Sequence, residues 1–84
     1  MKITFKLYAT LQDRLPSSAV DNAVELEVGN ETTLHELIDK FGVKREQAHL
    51  VLVNGRYCDH EERDRVSVLQ EGDVVAVWPL VAGG

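Results

Sequence analysis

Thr33-Leu34-His35-Glu36-Leu37-Ile38-Asp39-Lys40-Phe41-Gly42 is the one stretch of this chain with a clear helical pattern. Leu34, Leu37, Ile38 and Phe41 fall at i, i+3, i+4 and i+7, which aligns them in one apolar stripe. Thr33 and Glu36 fit a capping box, in which each side chain satisfies the other's backbone N–H. Gly42 follows Phe41 and can take the left-handed conformation that ends a helix. His35 lies outside the stripe and is expected on the surface. A single helix then has to lay its stripe on whatever the flanking segments build.

Those segments alternate like strands. Upstream, Val24, Leu26 and Val28 face inward between Glu25 and Glu27, and Gly29-Asn30 closes that strand. At the start, Ile3, Phe5 and Leu7 face one way and Lys2, Thr4 and Lys6 the other. Residues 9–15 suit a short helical turn stopped by Pro16, and residues 16–22 a loop. Downstream, Leu50-Val51-Leu52-Val53 runs into Asn54-Gly55, a pair that tolerates positive φ and so signals a tight hairpin turn. Tyr57-Cys58 suits a short edge strand, residues 59–65 a charged loop, and residues 66–69 a turn or short strand. Glu71-Gly72-Asp73 turns the chain into a last strand, Val74 to Trp78.

This order predicts an α+β fold: a mixed four- to five-stranded sheet with one main helix across one face. The first and last strands suit a parallel pair at its centre. Residues 1–78 make the folded body, and residues 79–84 a tail.

Size and charge limit the function. The 84 residues make one small domain, 44% hydrophobic and 27% charged. The net charge of −5 argues against nucleic acid, which draws on basic surface. No apolar run approaches the ~20 residues that span a bilayer. The N-terminal alternation does not resemble a signal peptide. Cys58 is the only cysteine, so no internal disulfide forms and a reducing compartment is natural. A cytoplasmic location is expected.

The residues with potential chemistry do not converge. Cys58-Asp59-His60-Glu61-Glu62 holds metal-binding residue types, but no second cluster completes a site, so no metal is expected. Cys58 has no local motif pairing it with His35 or His49 and reads as a small, partly buried strand residue. Lys44-Arg45 reads as a solvated pair. No acid–base or nucleophile constellation appears, so no catalytic residue is expected.

The remaining feature is Pro79-Leu80-Val81-Ala82-Gly83-Gly84. Gly83 and Gly84 carry no Cβ and can lie extended in a channel too narrow for any side chain. From Pro79 onward the chain reaches at most about 20 Å. The expectation is that the α-carboxylate of Gly84 is the working group; the plain alternative is a frayed end.

The element order, Asn54-Gly55 after a Val-rich strand, Glu71-Gly72-Asp73 before the last strand, and the Pro79–Gly84 stretch together resemble the ubiquitin-like sulfur carriers. The likeness covers essentially the whole chain. It is nearest to the molybdopterin synthase small subunits, with the thiamine-biosynthesis carriers more distant. The long connection from Ala9 to Asn22 looks like the former. Leu80 departs from the Pro-Pro that often precedes the Val there.

The resemblance implies a β-grasp fold and a protein that is not itself an enzyme. It implies that a ubiquitin-activating-type adenylyltransferase uses ATP to adenylate Gly84, and that sulfur replaces AMP to give a thiocarboxylate. It further implies that Pro79, Leu80, Val81, Ala82 and Gly83 thread into the large subunit of a synthase. No cofactor is bound by the carrier; ATP belongs to the activating enzyme. Adenylation is needed because a carboxylate is a poor electrophile until it has a good leaving group.

Val75 and Val77 are placed inward, leaving Val74, Ala76 and Trp78 outward. The resemblance places Val51 and Val53 inward too. Leu52, Ala76 and Trp78 then form an exposed apolar patch facing a partner. Two other outcomes share the same activation chemistry: a carrier for thiamine or another sulfur pathway, and a protein modifier forming isopeptide bonds. A binding-only domain is the third alternative.

Overall fold

The computed structural model describes residues 1–80. Among these, five strands and one α-helix form the body: β1 (Lys2–Leu7), β2 (Ala23–Glu27), α1 (Leu34–Lys40), β3 (Leu50–Val53), β4 (Arg56–Tyr57) and β5 (Val74–Trp78). The strands form one sheet in the order β2-β1-β5-β3-β4. β1 and β5 pair in parallel, with Phe5 opposite Val75 and Leu7 opposite Val77. The other pairings are antiparallel. The first and last strands thus form the centre of a mixed sheet, as their sequences predict.

Alternation sets the inner face. Ile3, Phe5, Leu7, Val51, Val75 and Val77 are all essentially inaccessible to solvent. Leu34, Leu37 and Ile38 of α1 close over them, and the Phe41 ring stacks on Phe5 with centroids 4.9 Å apart. Val24, Leu26 and Val28 pack against this core while half-buried, as befits an edge strand. The capping box forms: Glu36 N–H donates to Thr33 Oγ1, and Thr33 N–H to Glu36 Oε1, each at 3.1 Å. Gly42 has φ +73°, the left-handed value that ends a helix.

Asn54 and Gly55 both have positive φ, 51° and 85°, and join β3 to β4 in a tight hairpin. Asn54 also reaches sideways. Its Nδ2 donates to Asp73 Oδ1, and its Oδ1 accepts from Val74 N–H, both at 2.9 Å. The hairpin is thereby tied to the start of β5.

Three expectations need correction. His35 is not a surface residue: it is 3% exposed. α1 packs against the 3₁₀ turn Glu62–Asp64, which covers the His35 side of the helix. The stretch 59–65 is therefore not simply a solvated loop. Arg63 within it is fully buried, with Nε donating to the carbonyl of Cys58 (2.9 Å) and Nη1 to that of Ala48 (3.0 Å). Cys58 is fully rather than partly buried. It falls just after β4, beneath the segment that Arg63 anchors.

Residues 9–15 form the expected turn, a 3₁₀ helix over Ala9–Arg14. Ala9 enters it at φ +53°, a left-handed value that costs an alanine roughly 1–2 kcal/mol.

Candidate functional site

The candidate site is the outer face of the sheet where β5 ends. β5 has sheet neighbours on both sides, β1 and β3. Its inner residues Val75 and Val77 are buried in the core, so Val74, Ala76 and Trp78 point to the other face. In register, Ala76 sits between Lys6 and Leu52, and Trp78 faces Leu50.

The orientation agrees with the sequence reading, but the patch differs in extent. Ala76 is only 8% exposed. A lone methyl group in mid-sheet is shaded by the longer side chains of Lys6 and Leu52 on either side. Leu52 and Trp78 are half-buried. The more exposed apolar groups are Tyr57, at 48%, and Leu80, at 71%. Tyr57 pairs with Leu52 across the hairpin. The two-residue Asn54-Gly55 turn fixes that register, so the turn and the alternation together contain the signal for Tyr57.

Trp78 lies where the sheet stops. Its carbonyl accepts from His49 N–H at 3.0 Å, and the carbonyl of Val77 accepts from Tyr8 N–H at 3.1 Å. The Tyr8 and Trp78 rings stack with centroids 4.1 Å apart and planes 10° apart. Among the described residues the ladder has no continuation beyond this level. Ala9 turns the chain away from β5 on one side, and β3 begins only at Leu50 on the other. Pro79 has no N–H to donate. The strand is thus held firmly up to Trp78 and released from pairing immediately after it. Val81, Ala82, Gly83 and Gly84 lie outside the described residues.

The remaining candidates stay apart from this root. Burial pushes the Cys58 thiol up in pKa, which disfavours the nucleophilic thiolate. His35 Nδ1 lies 2.7 Å from Asp64 Oδ1, and its Nε2 is buried without a partner among the described residues. The His60 ring is 5.8 Å from that of His35. Among the described residues no group of three or more His, Cys, Asp or Glu could hold a metal ion. Arg45 pairs with Asp39 at 2.9 Å, and Lys44 is exposed. A groove of about 470 Å³ opens along β2, lined by Thr4, Ser18, Val20, Ala23, Val24 and Glu25, and shares no residue with the root. Among the described residues, no helix is long and apolar enough to cross a membrane.

A mixed five-stranded sheet with parallel terminal strands at its centre, crossed on one face by a single helix, is a ubiquitin-like β-grasp. Among the described residues, the ladder pairing of its central strand here ends at Trp78. The chain belongs to the ThiS family, whose model matches residues 6–84. It is thus a ubiquitin-like protein of the sulfur-carrier type.

Solved structures agree on the fold. The chain is similar to SAMP1 from Haloferax volcanii, at 21% identity and TM-score 0.65, with 100% of each chain covered. It is similar to a protein–protein complex of subunits 1 and 2 of molybdopterin-converting factor from Helicobacter pylori 26695. There the identity is 17% and the TM-score 0.56, again with 100% of each chain covered. A ubiquitin-like protein from Caldiarchaeum subterraneum is similar at 16% identity and TM-score 0.53, covering 99% of this chain and 100% of that one. No curated protein matches the chain significantly.

Proposed function

We propose that this chain is a non-catalytic sulfur carrier for molybdopterin synthesis, with the α-carboxylate of Gly84 as its working group. The observation that carries the reading is the abrupt end of the sheet at Trp78, within a family match that continues through Gly84. A folded body whose last strand ends its pairing at Trp78, with chain still to follow, fits what a carrier needs. The body is recognised, and the segment reaches into another protein.

The chemistry is acyl activation. A carboxylate oxygen of Gly84 attacks the α-phosphorus of ATP on a ubiquitin-activating-type adenylyltransferase, and pyrophosphate leaves. A sulfur nucleophile then attacks the acyl carbon, AMP departs, and the carrier is left with a thiocarboxylate. ATP is consumed by the activating enzyme, and the carrier binds no cofactor. Pro79 to Gly83 then lead the thiocarboxylate into the large subunit of a synthase. There its local concentration is high without further binding. Leu52, Trp78, Tyr57 and Leu80 give the partner an apolar surface beside the entry point. The buried, unpaired Cys58 fits a reducing cytoplasm.

The long connection between β1 and β2 favours the molybdopterin pathway over thiamine synthesis. The test is the intact mass of the chain isolated gently from its own cells. A gain of about 16 Da on the C-terminal peptide, sulfur for oxygen, supports the carrier reading. Chains linked to lysines through Gly84, without any thiocarboxylate, would replace it with a protein modifier. Neither species, together with no ATP-dependent activation, would leave a binding-only domain. Sulfur transfer to the molybdopterin precursor rather than the thiamine one decides the pathway.

A further inference from the structure

We infer that Tyr8 is a positioning residue: its ring, stacked on Trp78, fixes the direction in which the C-terminal segment leaves the sheet. The consequence for activity rests on the sulfur-carrier reading; the structural part does not.

Four observations converge. The two rings are unusually close and flat for an aromatic pair, with centroids 4.1 Å and planes 10° apart. They meet on the outer face, whereas the core closes on the other face of the sheet. The backbone is arranged to present Tyr8 at this spot. Tyr8 keeps extended geometry and donates its N–H to Val77, and the next residue, Ala9, bends the chain away at φ +53°. Strain in a non-glycine residue persists only where its surroundings impose it.

Finally, the residue after Trp78 is a proline. Its ring fixes its own φ and holds the preceding residue extended. A Trp78 ring held in one rotamer narrows the backbone angles that Trp78 can adopt, and the fixed φ of Pro79 carries that backbone direction on towards Leu80. Together the stack and the proline form a stiff mount. Removing the Tyr8 ring leaves Trp78 free to change rotamer and the exit direction free to spread. A partner that accepts one direction then meets a smaller competent population, and apparent affinity falls by that fraction.

The experiment compares the full-length wild type with Tyr8→Ala and Tyr8→Phe. Backbone and indole ¹⁵N order parameters are measured at Trp78 and Leu80 in the free chain. ATP–pyrophosphate exchange kinetics are measured with the adenylyltransferase that charges the wild type. In Tyr8→Ala, order falls at Trp78 and Leu80 while the amides of β1 and β3 keep theirs. KM for the carrier rises by about 3–10-fold with kcat nearly constant. Tyr8→Phe recovers both, because stacking needs the ring and not the hydroxyl.

Unchanged order at Leu80 in Tyr8→Ala overturns the inference, whether or not the chain is ever charged. Lowered order with an unchanged KM overturns its functional half. If Tyr8→Ala does not fold, Tyr8→Leu keeps the apolar bulk, removes the ring plane and bears the same expectation. A wild-type chain that no adenylyltransferase charges refutes the carrier reading, and the order parameters still decide the role of Tyr8.

Discussion

His35 Nδ1 lies 2.7 Å from a carboxylate oxygen of Asp64, joining a buried ring on α1 to an exposed acid on the Glu62–Asp64 turn. An ionised carboxylate only accepts, so Nδ1 carries the proton. This hydrogen bond holds the Asp64 carboxyl below its ordinary value of 3.8. In the unfolded chain the same carboxyl takes up its proton first as pH falls. The unfolded state then binds more protons, and stability drops with pH. Glu62, hydrogen-bonded by Arg56, and Asp39, by Arg45, shift in the same direction. The urea midpoint is expected to fall as pH drops from about 5 through the lowered pKa values. Asp64→Asn should show a shallower fall, and an equal one would rule out this pair as a contributor.

Arg63 is the largest fully buried side chain, and it satisfies the carbonyls of Cys58 and Ala48. Arg63→Ala orphans both carbonyls and opens a void. A loss of about 3 kcal/mol or more in urea unfolding is expected. Arg63→Lys should recover little of it, since an ammonium cannot reproduce the guanidinium fork. Full recovery by lysine would show that charge, not geometry, matters there.

Asn54 combines a left-handed backbone with two side-chain hydrogen bonds. Asn54→Gly keeps the backbone and loses the bonds, at a cost of about 1–2 kcal/mol. Asn54→Ala also strains the turn and should cost about 1 kcal/mol more. Equal midpoints for the two variants in urea unfolding would contradict the strain at this position.

At Ala9 the direction reverses. Ala→Gly is ordinarily destabilising, but here glycine removes a left-handed alanine. The expected result is neutral to about 1 kcal/mol stabilising, read from the thermal midpoint. A loss of stability would contradict the positive φ.

Deleting Gly84 tests the carrier reading against the fold. Among the described residues ladder pairing ends at Trp78, and the thermal midpoint should stay within about 1 °C, a shift worth only a few tenths of a kcal/mol in a domain of this size. ATP–pyrophosphate exchange should vanish. Normal exchange by the truncated chain would refute Gly84 as the working residue.

Much of the fold is legible in the sequence because its signals are local. The capping box, the alternation of Ile3, Phe5 and Leu7, and the Asn54-Gly55 turn depend on neighbours a few residues away. What escapes is set by distant segments. His35 lies outside the helix stripe, and only residue 64 and its neighbours, far along the chain, cover it. Arg63 sits in a charged run that suggests solvent, yet its long stem and fixed donors suit a loop whose carbonyls turn inward. Ala76 has the orientation that alternation predicts, but its exposure depends on the lengths of Lys6 and Leu52, which only the register reveals. Tyr8 gave no signal of its own: it stands next to Trp78 because Leu7 pairs with Val77.

The parallel pairing of β1 with β5 also imposes an order of events at the ribosome. Residues 4–7 are made well before residues 74–77, the partners they pair with. The β3–β4 hairpin and α1 can form during synthesis, but the strand between β1 and β3 is missing until β5 has been made. Closing so long a loop is slow relative to local contacts. A chain cut short upstream of β5 therefore has no closed core. Closure of the core thus waits on β5, and a chain lacking that strand stays open on the flanks of β1 and β3.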